Sequence, residues 1–205
     1  MIELELPSTL LEQAVKEISK LPGIGRKTAL RLALHLLKEK KQEALKLGEA
    51  LNNLISNINY CKTCHNICED EQCSICSNPN RDHQTICIIE DIRDLLAIEY
   101  TQQYNGVYHV LGGIISPIDG IGPADLTIPL LMERVKSGII NEVIFALPTT
   151  MEGDTTNYYL HKQISGYVPT ITTLARGLAF GDELQYADEV TLGRSLIKRI
   201  TYQSK

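Results

Sequence analysis

Tryptophan is absent from this 205-residue chain, and phenylalanine occurs only twice. A core must therefore rest on Leu, Ile, Val and Tyr rather than on large aromatic anchors. No apolar run approaches the roughly 20 residues that cross a bilayer, so no membrane partner is expected. No apolar signal segment stands at the start, which argues against an oxidising compartment and a disulfide framework. A cytoplasmic location is the expectation. Positive charge is also short. A net charge of −5, spread evenly, would argue against a nucleic-acid partner.

The charge is not spread evenly. Between Lys16 and Lys46 stand nine Lys or Arg residues and three Glu, so one arm is basic and the remainder acidic. Such asymmetry points to an anionic partner at one end, although solvated helix faces can look the same. The arm has its own order. Thr9 and Glu12 can form a capping box, and Leu10, Leu11, Ala14, Val15 and Ile18 recur at helical spacing. Leu21-Pro22-Gly23-Ile24-Gly25 stops this helix. A second helix follows, with Ala29, Leu30, Ala33, Leu34 and Leu37. The two glycines permit positive φ and close backbone approach. Amides at the start of the second helix favour a phosphate, and Arg26, Lys27 and Arg31 add charge. This is the layout of a helix-hairpin-helix, which grips a nucleic-acid backbone without reading bases. Gly23, Gly25, Arg26, Lys27 and Arg31 are the candidate DNA contacts. A third helix is expected over 42–58, with Ala44, Leu45, Leu51, Leu54, Ile55 and Ile58 as its buried stripe.

That helix leads into CKTCHNICEDEQCSIC. Cys61, Cys64, Cys73 and Cys76 form two C-x2-C pairs eight residues apart. Each pair turns tightly enough to grip one ion with two thiolates, and together they complete an all-sulfur shell suited to Zn²⁺. A closed shell leaves no position for a water, so the expected role is structural. The loop is too short for a core of its own, and the metal would supply its folding energy. Cys68 lies outside both turns and reads as a spare thiol, Cys87 as a buried small hydrophobe. His65 and His83 are not needed as ligands. Asn78-Pro79-Asn80-Arg81 reads as a linker.

From residue 86 strands and helices alternate. Strands are expected over 86–89, 107–111, 143–147 and 168–174, and helices over 91–99, 123–136 and 154–164. The order implies a mostly parallel sheet covered by helices, with functional loops at the strand carboxyl ends. Glu90, Glu152 and Asp154 fall on such loops. They can hold Mg²⁺, which favours a few hard oxygens and retained waters, or they can simply cap helices.

PGIGRKTA, the four-cysteine motif, ICIIE, LGGIISPIDGIGPADL, PTTMEGDTTNYYL and YADEVTLGRSL follow one another in the order of a known family. The chain resembles the RecR family of bacterial recombination mediators over nearly its whole length. The resemblance implies a helix-hairpin-helix domain (1–58), a C4 zinc motif (59–80), a Toprim-type mostly parallel α/β domain (81–176) and a C-terminal helical segment (177–205). It implies a non-enzymatic protein of the RecF repair pathway that acts with RecO and RecF to load RecA onto single-stranded DNA. It also implies sequence-independent binding of single- and double-stranded DNA and assembly into dimers or tetramers. Carried over, Cys61, Cys64, Cys73 and Cys76 are the zinc ligands and Lys27 and Arg31 the best DNA contacts. Glu90, Glu152 and Asp154 match the Toprim acidic motifs, as an Mg²⁺ site or as a docking patch. Two departures stand out. The second acidic motif reads E-G-D where the family more often has E-G-E, and LAFGD follows Gly177 without the family's proline and second glycine. The competing class is a Toprim-type Mg-dependent nuclease or a topoisomerase-like enzyme. The latter needs a positioned tyrosine. Tyr158 and Tyr159 lie near the acidic loop, but one packed and one exposed helix residue explains them more simply.

Overall fold

The computed structural model describes residues 6–178, 181 and 183–201. Its chain divides into two compact units, 1–58 and 59–205.

The first unit is helical. Helix α1 (Thr9–Ile18) is capped one residue earlier than expected: Ser8, not Thr9, accepts from the Leu11 amide. Glu12 is thereby released from capping and pairs with Arg26 at 2.8 Å. Helix α2 (Arg26–Lys38) lies against α1. Buried Ala29 and Ala33 give the small surface on which Val15 seats, with Leu11, Ile18, Ile24 and Leu30 around it. Helix α3 (Lys41–Asn57) differs from its expectation. Leu45, Leu51, Leu54 and Ile55 are all more than half exposed, and no residue of α3 is buried. Periodicity marks a face that is able to pack, but not what covers it.

The second unit opens with a two-stranded antiparallel ribbon, β1 (Asn59–Tyr60) with β2 (Ile67–Cys68), inside the cysteine motif. Then come β3 (Asp82–Ile89), α4 (Ile92–Tyr100), β4 (Gly106–Val110), α5 (Ile128–Lys136), β5 (Glu142–Phe145), α6 (Met151–Ile164) and β6 (Thr170–Thr173). The four long strands form a parallel sheet in the order β4-β3-β5-β6, as the alternating pattern requires. Side chains alternate across it. Ile86 and Ile88 face a core shared with Leu131, Val135, Leu160 and Ile164 of α5 and α6. Cys87 and Ile89 face the other side with Leu95 of α4. Burial on both faces is why ICII reads as a continuous apolar run. Several expected boundaries move, and β3 starts at Asp82, four residues early. Residues 123–136 divide into a short 3-10 turn, Pro123–Asp125, and α5. Helix α6 begins at Met151, where Thr150 accepts from the Gly153 amide, so Glu152 and Asp154 stand in its first turn rather than on a loop. Helix α7 (Glu189–Ile197), capped by Asp188, ends the described fold.

Candidate metal centre and nucleic-acid interface

Both C-x2-C segments close in the same way. The His65 amide donates to the Cys61 carbonyl at 2.9 Å, and the Ser77 amide to the Cys73 carbonyl at 3.0 Å. The thiols of Cys61, Cys64, Cys73 and Cys76 are thereby turned inward and buried, with all four sulfurs within 4.8 Å of one another. Tetrahedral Zn–S bonds of about 2.3 Å put sulfurs roughly 3.8 Å apart, so the residues fit zinc. Left to themselves the thiols conflict. The Cys64–Cys73 contact at 3.5 Å drives Cys64 far up in pKa and Cys73 far down. A divalent cation removes that conflict by holding all four as thiolates. Cys68 is outside this group, its thiol directed at the Asp70 carbonyl. His65 stacks on Tyr60 with 4.5 Å between ring centres, and His83 Nε2 contacts the Asn78 carbonyl. Among the described residues these four cysteines are the one set of three or more His, Cys, Asp or Glu side chains placed to share an ion.

In the helical unit, Leu21 to Ile24 is a turn closed by the Ile24 amide on the Leu21 carbonyl, with Gly23 at φ +76°. Pro22 followed by a left-handed residue is the type II pattern, which explains Gly23. The expectation of positive φ fails at Gly25. It is the extended N-cap of α2 at φ −80°, and a Cβ there would meet nothing within 4 Å. Its missing side chain leaves the approach to the α2 amides open from outside. Of the basic candidates, Arg26 is engaged by Glu12. Lys27 and Arg31 are exposed, make no ion pair among the described residues, and line an open cleft of about 390 Å³ with Leu30, Leu34, His35 and Lys38.

The acidic candidates sit at the carboxyl ends of β3 and β5, adjacent strands at the point where the strand order reverses. Glu90 follows β3. Burial, then Asp94 and Asp91, push its pKa up. Asp91 caps α4 and is held low by Arg93. Asp154 is engaged by Arg176 at 2.6 Å, which lowers its pKa. Sequence reading missed Arg176, 22 positions away. It also missed Thr156, fully buried, whose hydroxyl accepts from the Ile115 amide at 2.9 Å and donates to the Glu152 carbonyl at 2.8 Å. Tyr158 is exposed, with Lys162 over its ring, while Tyr159 packs on the core. Ala179, Phe180 and Asp182 of the divergent LAFGD segment lie outside the described residues.

Comparison with known proteins covers nearly the whole chain. Family profiles match residues 11–55 (RecR, helix-hairpin-helix), 58–78 (RecR, four-cysteine zinc finger domain), 84–174 (Toprim domain) and 177–200 (RecR, C-terminal). The chain is 56% identical to the Recombination protein RecR of Flavobacterium johnsoniae over 200 residues, 98% of this chain and 97% of that one. It is 57% identical to that of Phocaeicola vulgatus over 198 residues, 97% of each. It is 56% identical to that of Parabacteroides distasonis over 196 residues, 96% of this chain and 94% of that one.

Proposed function

The chain belongs to the RecR family of recombination proteins, and from that premise we propose that it is a non-enzymatic mediator in the RecF pathway. Membership carries a role in DNA recombination and repair, and the four cysteines are a structural zinc site. In the proposal, the protein binds single- and double-stranded DNA without reading sequence. With RecO and RecF it promotes loading of RecA on single strands in the cytoplasm. The carrying observation is the pair Lys27 and Arg31, uncommitted and exposed beside the Gly25-capped start of α2. Backbone amides plus mobile cations suit phosphates of any sequence.

The absence of catalysis is part of the proposal. Its support is that Asp154 is occupied by the chain's own Arg176. We assign Glu90, Glu152 and Asp154 to docking a basic partner rather than to Mg²⁺. Assembly as a dimer or tetramer is supported by the uncovered leucines of α3. No helix of the described residues is long and apolar enough to cross a membrane.

The test joins three measurements on purified protein: DNA binding, nuclease activity with Mg²⁺ or Mn²⁺, and capture of RecO and RecF with and without EDTA. We expect binding and capture without cleavage. Metal-dependent cleavage that Glu152→Gln with Asp154→Asn abolishes would overturn the reading, and normal capture of both partners by that variant would sink the docking role.

A further inference from the structure

Strand β4 is the outer strand of the parallel sheet, so the backbone groups of Tyr108 and Val110 that point away from β3 have no strand to pair with. Three of these four groups are satisfied from outside. The Val110 amide donates to the carbonyl of Cys64, a zinc ligand, at 2.9 Å. Thr127 Oγ1 donates to the Val110 carbonyl at 2.7 Å. Arg134 Nη1, from α5, donates to the Tyr108 carbonyl at 2.7 Å.

Arg134 and Thr127 meet again at His109, which is wholly buried. His109 Nδ1 lies 3.4 Å from Arg134 Nη1, and Nε2 lies 3.0 Å from Thr127 Oγ1. Burial, reinforced by the guanidinium, takes the His109 pKa down to about 3. A neutral ring with its proton on Nε2 accepts from Arg134 and donates to Thr127, whose own proton goes to Val110. These hydrogen bonds join Arg134, His109, Thr127, Val110 and Cys64 in one path. Ile75, between the last two cysteines, packs against the cysteine cluster and both sheet cores.

Charge completes the argument. Zn²⁺ with four thiolates carries a net charge of about −2, and such a charge set into a protein needs compensation. Arg134 forms no ion pair with a carboxylate among the described residues. Geometry sets it beside the knuckle: Arg134 Nη1 is fixed on the Tyr108 carbonyl, two residues along the same strand edge from Val110, whose amide binds the Cys64 carbonyl. Lys62, the cation inside the first C-x2-C, is exposed and taken by Glu71 at 2.6 Å.

We propose that Arg134 is the resident counter-cation of the zinc–tetrathiolate centre, and that through His109 and Thr127 it couples zinc retention to closure of the β4 edge. The knuckle is then a metal-dependent clasp on the sheet. Its thiolates are held less nucleophilic by a cation from another element.

Three variants of the full chain test this: Arg134→Met, Arg134→Lys and Thr127→Val. Zinc release to excess EDTA is followed with a zinc indicator dye, circular dichroism monitors the fold, and amide exchange is read at Val110. Arg134→Met should release zinc about 10–100-fold faster, the usual range for lost outer-shell partners. Arg134→Lys should stay within a few-fold of the parent. Thr127→Val should loosen Val110 with much less effect on zinc. Stripping zinc from the parent protein should by itself expose the Val110 amide. A folded Arg134→Met with parental release overturns the counter-cation role. Should Arg134→Met fail to fold, fast release by folded Arg134→Lys overturns it equally. Continued protection of Val110 in zinc-free parent protein overturns the coupling.

Discussion

Replacing Gly153 with alanine should destabilise the sheet-bearing unit, although the position is helical and alanine is the better helix former. A Cβ at Gly153 would lie 2.0 Å from the carbonyl oxygen of Pro148 and 3.0 Å from its carbonyl carbon, where ordinary contact begins at 3.4 Å. Neither atom can swing aside, because both are backbone in the short connection from β5 to α6. The helix must retreat by about 1.4 Å, the gap between those limits. Helix α6 carries Leu160 and Ile164 into the main core, and its Thr156 holds the Ile115 amide. Overpacking of this kind costs roughly 1–3 kcal/mol, and a strained hydrogen bond about 1 more. Helix propensity returns about 1. The net is a loss of about 2 kcal/mol, or on the order of 4–8 °C in melting temperature. Calorimetry of the zinc-loaded protein measures it. The matched control is Gly48→Ala in α3, where a Cβ meets nothing within 4 Å; it should stabilise the helical unit by up to about 1 kcal/mol. A Gly153→Ala protein that melts within a degree of the parent would refute the reasoning, and the glycine of E-G-D would then need another explanation.

Other outcomes follow from the same structure. One zinc should copurify per chain, lost in Cys73→Ser and kept in Cys68→Ser, as metal analysis will read. Lys27→Ala with Arg31→Ala should weaken binding to all DNA sequences about equally and flatten the salt dependence by about two phosphate contacts; unchanged affinity at low salt would remove the hairpin from the interface. Glu99, bonded to Arg81 and to the Tyr108 hydroxyl, has its pKa lowered chiefly by Arg81. Its stabilisation is therefore complete above about pH 4.3 and is lost as pH falls through the lowered folded value. Glu99→Gln should cost about 2 kcal/mol at pH 7 and leave a shallower fall in stability below about pH 4.3 in acid titrations of the fold.

Much of this was legible because it is local. The zinc motif needs only spacing, the hairpin only Pro22 and Gly23, and the sheet only runs buried on both faces. What escaped was pairing at a distance. Arg81 read as part of a linker, yet its guanidinium reaches Glu99 and the carbonyls of Tyr104 and Gly106. Arg176 and Asp154 meet only because β6 runs beside β5. His109 and Arg134 fall within patterns that read simply as strand and helix, and nothing in the sequence distinguishes them from packing residues. The stripe of α3 failed for the opposite reason. Its period is correct, but its leucines stay exposed among the described residues.

The Arg176–Asp154 pair bears directly on the choice between metal and partner at the acidic end of the sheet. Mg²⁺ demands carboxylate oxygens close together and stripped of other cations. Here Asp154 would first have to release a charge-assisted bond worth more than a neutral one, and Glu90, its pKa raised by burial and by Asp94 and Asp91, resists further negative charge nearby only until a cation arrives. A basic protein surface asks less. It can pair with Glu90 and Glu152 while Arg176 keeps its place, because charge across an interface sets encounter and specificity without requiring every group to be desolvated. The ground-state arrangement therefore favours the proposed docking role, and removing Arg176 should shift the balance. In Arg176→Ala, Asp154 loses the cation beside it and Mg²⁺ affinity should rise, a change that calorimetric titration with MgCl2 reads directly. No gain in Mg²⁺ binding would mean that the spacing of the three carboxylates, not the arginine, keeps the metal out.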